Sequence, residues 1–209
     1  MKTAKRQTTK NKEPLNIFLV GDIGSGKGTQ GKLLKKKFKL YDIDMGVEQE
    51  HQRKANKKLD AIFKKTVDVG KMNPTGIYRK LVTSAIVRTP RTRGILFAGH
   101  PKMPSEVRFV NKLLAKVGRT RVISIYLSVP WEETVERNLK RKGYFGNKRR
   151  ADDSLVAIMK RKHFSQAYLL KSKPLYMSLY PFAQVSGLGT ILEVHKRVMR
   201  AIERLQKQV

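Results

Sequence analysis

The sequence predicts an α/β fold in which a parallel sheet is covered by helices on both faces. Three observations carry the prediction. Short apolar runs of strand length, at 15–20, 94–98, 121–129 and the start of 183–189, alternate with stretches whose apolar residues recur every three or four positions. The first run leads straight into Gly21-Asp22-Ile23-Gly24-Ser25-Gly26-Lys27-Gly28-Thr29-Gln30, so glycines and a lysine sit where a buried strand turns into a helix. The 209 residues suffice for one domain with a core, not for two.

That glycine segment is a phosphate cradle. Glycines permit positive φ, so backbone N–H groups can crowd toward one anion, and the helix that follows adds partial positive charge at its start. Lys27 puts a full charge on the outer phosphates of a nucleotide. Gly21 and Gly26-Lys27 fit the P-loop pattern G-x-x-x-x-G-K, with Gly28 in the usual Ser/Thr place and Thr29 one residue later. A plain glycine-rich turn is the bland alternative. A dinucleotide site is another, since Asp42 and Asp44 stand about where a ribose-binding acid belongs, but a lysine among the glycines argues against it.

Taken in order, residues 1–14 (MKTAKRQTTKNKEP) are basic, nearly devoid of large apolar side chains and predicted to be a flexible tail. Residues 15–209 form the single predicted domain. Leu33, Leu34 and Phe38 give the helix after the cradle its apolar face, and Lys35-Lys36-Lys37 suits its C-terminus. Residues 54–90 read as helices broken at Gly70 and Asn73-Pro74, with Leu59, Ile62, Phe63, Val67, Ile77, Leu81, Val82 and Ile86 as core positions. Val107, Val110, Leu113, Leu114 and Val117 mark a helix from Pro104 that stops at Gly118. A helix from Pro130 to about Lys142 places Arg137 and Arg141 on one side. Asp152 to Leu170 reads as another helix, and Tyr168, Tyr176, Tyr180 and Phe182 as packing aromatics. The last helix shows Ile191, Val194, Val198, Ile202 and Leu205 on one face. Trp131 and His100 are read as packing residues.

Charge is the unusual property. Lys and Arg number 46 against 16 Asp and Glu, a formal +30, and such a field attracts polyanions whatever the fold. Nonspecific nucleic acid is therefore a candidate partner. There is no cysteine, which excludes disulfides and thiolate metal sites, and no apolar run of membrane length. A cytoplasmic, monomeric protein that does not engage membranes is expected.

At Gly24-Ser-Gly-Lys-Gly-Thr-Gln30 the chain resembles the adenylate kinases and related nucleoside monophosphate kinases. Arg150-Ala-Asp-Asp153 is similar to the family's Arg-x-Asp-Asp, with Arg161 eight residues on, and Arg137 and Arg141 keep the family's spacing before it. Gly99-His-Pro-Lys102 is similar to its Asp-Gly-Phe-Pro-Arg, with Ala98 in the place of the Asp and Lys102 in that of the Arg. Where the family reads Ile-Ser-Thr-Gly-Asp-Leu-Leu-Arg, Gly46 matches, Met45 replaces the Thr and Glu50 the Arg, leaving Arg53 a turn further as the substitute. The resemblance implies a P-loop NTPase fold with a small helical monophosphate-binding insertion at about 42–90 and a short lid at about 142–150. It implies transfer of the γ-phosphoryl group of ATP to AMP, with Mg²⁺ carried by the nucleotide and no dedicated protein metal site. Gly24, Ser25, Gly26, Lys27, Gly28, Thr29, Arg141 and Gly189 would bind ATP. Gly99, Lys102, Arg53, Arg150 and Arg161 would bind the acceptor. Lys27, Arg137, Arg141, Arg150 and Arg161 would neutralise the transferring group, with Asp152 orienting lid arginines. The altered acceptor residues and the +30 charge suggest an alternative, a nucleotide-binding relative with weakened transfer that serves as a nucleic-acid-associated or scaffold protein.

Overall fold

The structure, a computed structural model, describes residues 13–66, 68, 73–139 and 155–209; at 155–158 and 160–166 it describes the helix but not the side chains. The predicted tail up to residue 12, Val67, the turn at 69–72 and the predicted lid fall outside the described residues.

Five parallel strands form one sheet in the order β2-β3-β1-β4-β5. Their ranges are β1 Asn16–Gly21, β2 Tyr41–Asp42, β3 Ile95–Ala98, β4 Val122–Ser128 and β5 Phe182–Ser186. β1 is central and buried along its whole length, as its unbroken apolar run requires of a strand covered on both faces. Alternation along it splits the core in two. Ile17 and Leu19 face α1 (Lys27–Phe38) and α8 (Ile191–Leu205), packing with Leu34, Val198 and Ile202. Phe18 and Val20 face α4 (Thr75–Arg88), α5 (Pro104–Lys116) and α7 (Leu155–Leu179). There Phe18 stacks on Phe97 at 4.5 Å between centroids and meets Tyr176 and Tyr180 at 5.4 and 5.0 Å, so these aromatics do pack.

Two polar residues hold the N-terminal end of the sheet. Asn16 is buried and braces three segments, donating to Arg121 O (3.0 Å) while its own Oδ1 accepts from Ile95 N (3.1 Å). Arg119, also buried, donates to the carbonyls of Thr89, Pro90 and Arg93 at 2.8–3.0 Å. A buried guanidinium is tolerable where its donors are matched in this way.

The helices depart from expectation in detail. The stretch after α1 was not expected to pair, yet Tyr41 and Asp42 extend the sheet beside Ile95 and Leu96. Asp44 then caps α2 (Met45–Ala55), accepting from Gly46 N at 2.8 Å, and Asn56 ends α2 and caps α3 (Lys57–Lys65). α7 runs past Leu170 through Pro174 to Leu179. The hydrogen bond that Pro174 cannot donate would have gone to the carbonyl of Leu170, a residue that is itself exposed. Ile191 and Ile62, predicted as core, are exposed, while Ala201 completes the buried face of α8. Gly118 ends α5 with φ 67°, as expected of a helix stop. Among the described residues no helix is long and apolar enough to cross a membrane.

Candidate functional site

The site lies at the C-terminal edge of β1, between the cradle and the loop that follows β3. The cradle can receive an anion because no side chain caps the start of the helix that follows it. α1 begins at Gly26 (φ 89°) with no side-chain cap and no acid in its first turn, whereas Asp44, Asn56 and Thr190 cap α2, α3 and α8. Gly24 also has positive φ, 73°, so the chain turns its amides inward before the helix starts.

Lys27 folds over this loop. Its Nζ donates to Gly21 O (2.9 Å), Asp22 O (2.5 Å) and Ser25 Oγ (3.3 Å). Its stem passes Gly99 closely: a Cβ there would lie 3.5 Å from Lys27 Cε, and φ 81° already demands glycine.

Outer elements hold the cradle in shape. Asp22 accepts from Tyr126 Oη (2.5 Å) and Val129 N (3.0 Å), tying the loop to the end of β4. Along α6 (Trp131–Leu139), Thr134 Oγ1 donates to Ile23 O (2.9 Å), and Arg137 donates to Gly24 O (3.3 Å) and Gly187 O (2.9 Å). Glu133 accepts from Arg137 Nε and fixes the guanidinium. Trp131, at the start of α6, is half-buried.

Across from Lys27, the loop 99–103 is pinned from three sides. Tyr176 Oη donates to Pro101 O (2.7 Å), Ser172 Oγ donates to Lys102 O, and Glu106 Oε2 accepts from the amides of Lys102 and Met103 (3.1 Å each). His100 is buried with Nε2 2.6 Å from Ile43 O and Nδ1 3.2 Å from Tyr78 Oη. A carbonyl only accepts, so Nε2 carries the proton and Nδ1 takes the Tyr78 hydroxyl hydrogen. Burial pushes the His100 pKa down to about 4, so the imidazole is neutral. The packing role read from the sequence holds.

Between cradle and loop is a cavity of about 240 Å³ lined by Gly21, Ile23, Lys27, Ala98, Gly99 and Lys102, with Tyr168 and Leu169 of α7 as a further wall. Two ammonium groups thus border one small space, with no carboxylate among its described lining residues.

The family model described as an AAA domain matches residues 20–158, from the last part of β1 into α7. Adenylate kinases are similar over most of the chain. That of Flavobacterium psychrophilum is 31% identical over 195 residues, covering 91% of this chain and 100% of its own. That of Phocaeicola vulgatus is 29% identical over 194 residues, with 91% and 100% covered. That of Micrococcus luteus is 30% identical over 189 residues, covering 89% of both. This chain belongs to the AAA-domain family and to the adenylate kinases.

The family resemblance directs attention to residues that the structure treats differently. Gly24, Ser25, Gly26, Lys27, Gly28 and Thr29 come together at the cradle, Ser25 buried and Gly28 exposed. Gly99 and Lys102 join them across the cavity. Arg137 reaches the cradle through its carbonyls. Arg53 is not brought there: it donates to Asp68 at 2.8 and 2.9 Å, lies 3.2 Å from Asp60 and holds α2 to α3. Gly189 stands at the foot of α8, where a Cβ would come 2.6 Å from a Glu193 oxygen, and Gly187 is the glycine that abuts the cradle, 2.9 Å from Ser25 O by the same construction. Arg141, Arg150 and Asp152 fall outside the described residues, and so does the side chain of Arg161 in α7. Sequence reasoning missed Asp22, Thr134, Tyr176 and Ser172. Asp22 alone left a signal, as an acid inside a phosphate loop.

Proposed function

We propose that the protein is an ATP-dependent nucleoside monophosphate kinase that transfers the γ-phosphoryl group of ATP to AMP. An oxygen of the AMP phosphate attacks the γ-phosphorus, the bond to the β,γ-bridging oxygen breaks, and two ADP result. The observation that supports the reading is the cavity between Lys27 and the loop after β3, bordered by the glycine cradle on one side and by Gly99 and Lys102 on the other. Such chemistry needs positioning and charge neutralisation rather than covalent work by side chains.

Gly24 to Thr29 hold the donor phosphates with amides and the start of α1. Lys27 exchanges the loop carbonyls it now meets for phosphate oxygens. Lys102 attracts the acceptor phosphate; as a point charge it lacks the planar grip of an arginine. Arg137 holds the donor side of the cradle rather than touching phosphate, and Arg141, Arg150 and Arg161 are assigned by resemblance to the transferring charge. Arg53 and Gly99 complete the acceptor side only if Arg53 leaves Asp68.

Mg²⁺ fits this donor set as an ion brought by the nucleotide. The Thr29 hydroxyl, in the first turn of α1, would offer it a hard oxygen ligand. The ion neutralises the β- and γ-phosphates when bound. We further place the enzyme in the cytoplasm as a monomer. No observation favours the reading as a scaffold with weakened transfer.

The test is diphosphate formation from ATP and a panel of AMP, UMP, CMP and GMP with Mg²⁺. Activity greatest with AMP, and lowered by about 10²- to 10³-fold in Lys27→Ala, is expected. ATP binding without diphosphate from any monophosphate overturns the assignment.

A further inference from the structure

A second depression lies apart from the cavity between the cradle and the 99–103 loop. A groove of about 720 Å³ lies at the C-terminal end of α1, lined by Lys32, Lys35, Lys36, Lys39 and Arg93, with Phe38 and Thr92 between them. Five cations from two segments thus share one depression. α1 has twelve residues, and the groove lies along its C-terminal half, beginning at Lys32 about 8 Å along the helix from Lys27.

The arrangement is ordered. Lys32, Lys35 and Lys36 recur at i, i+3 and i+4 on one face of α1, and Lys39, the left-handed residue that ends the helix, continues the row to about 10 Å. Arg93 forms the opposite wall and is held there, its Nε and one Nη donating to Lys39 O and Leu40 O at 3.0 Å each. Lysines in the last turn also offset the helix dipole, and Arg93 satisfies carbonyls at the same helix end. Together with Lys32 a turn earlier they concentrate positive charge in one depression.

We infer that this groove binds the sugar–phosphate backbone of nucleic acid. A row about 10 Å long matches the axial run of about three phosphates on one strand, and the +30 charge of the chain steers any such polyanion toward the surface. A lipid surface fits less well. The apolar side of α1 is buried with Leu34 in the core, Phe38 packs against it as well, and the face is concave, so nothing projects to enter a bilayer. No base-reading contact is implied; phosphates alone give position and affinity.

The test is fluorescence anisotropy with labelled 20-nucleotide RNA and DNA of one sequence, single- and double-stranded, between about 50 and 200 mM KCl. Three phosphate contacts give a slope of log K against log salt of about −2 on single strands and about −3 on duplexes. The triple variant Lys35→Gln, Lys36→Gln, Lys39→Gln should remove most of that slope. It should still form diphosphate at the wild-type rate, which shows that it is folded. A charge-matched variant, Lys57→Gln, Lys58→Gln, Lys112→Gln, and Lys27→Ala should both keep the slope. RNA and DNA should bind alike because they share the phosphates. The inference is overturned if both triple variants behave the same, if Lys27→Ala removes binding, if one base sequence is strongly preferred, or if phosphatidylserine vesicles bind while neither nucleic acid does.

Discussion

Replacing His100 by phenylalanine should change how stability depends on pH in a calculable way. Burial is the main cause of the depressed pKa; nearby Lys102 acts in the same direction, while the Ile43 carbonyl and Asp44 push back. The native imidazole stays neutral down to about pH 4, whereas in the unfolded chain it takes up a proton near 6.5. Between these values the unfolded state binds more protons, so the histidine's contribution is fully present above about pH 6.5 and is lost as pH falls toward 4. The gap corresponds to about 3 kcal/mol, of which about 2.5 kcal/mol disappears between about pH 7 and about pH 4.5. His100→Phe keeps a ring but leaves Ile43 O and Tyr78 Oη without their partner, at a pH-independent cost of about 1–3 kcal/mol. Thermal unfolding of both proteins across this range isolates the effect, because Glu106 and Asp42, whose pKa values burial raises, are common to both. The variant's deficit at neutral pH should shrink by about 2.5 kcal/mol at about pH 4.5, or about 5–10 °C in relative Tm. Parallel curves for the two proteins would show that the imidazole is not held neutral in the fold.

Other perturbations test the site and its support. Lys27→Ala should lower kcat/KM by about 10²- to 10³-fold with little change in Tm, since it removes a charge realised on the transferring phosphoryl group. Tyr176→Phe releases Pro101 O and should raise the KM for the monophosphate several-fold in steady-state assays while leaving that for ATP unchanged, because it loosens only the acceptor wall. Arg119→Met should cost about 3 kcal/mol in urea unfolding without altering catalysis, as it strands the buried carbonyls of Thr89, Pro90 and Arg93.

Much of this was legible in the chain because the relevant patterns are local. The cradle is ten consecutive residues, and four of the five strands announce themselves as apolar runs. β2 did not, since two residues of which one is Asp42 cannot show an alternation; its pairing is decided by Ile95 and Leu96, more than fifty positions away. The length of α7 was hidden by Pro174, whose cost depends on whether Leu170 O faces water. Gly187 and Gly189 are equivalent as letters, and only the approach of Ser25 O separates them. Arg53 looked available because its acid partners are spread over positions 50, 60 and 68, and no helical period joins Asp68 to it.

The braces around the cradle account for why a loop so rich in glycine can select a polyphosphate. Within the loop Lys27 donates to two carbonyls and a hydroxyl, and phosphate oxygens would give it charge-assisted bonds about twice as strong. That gain appears as affinity only if the loop does not have to be ordered at the moment of binding. Asp22, clamped by Tyr126 and Val129, supplies that order without approaching phosphate through its side chain. Asp22→Ala should therefore weaken ATP binding by about tenfold in calorimetry, roughly 1.4 kcal/mol, although it removes a negative charge beside an anion site. Asp22→Asn should restore most of the loss, its amide oxygen accepting from Val129 N while its NH₂ group donates to the Tyr126 hydroxyl. If Asp22→Ala instead bound ATP more tightly than the wild type, local charge rather than the bracing of the loop would govern the site.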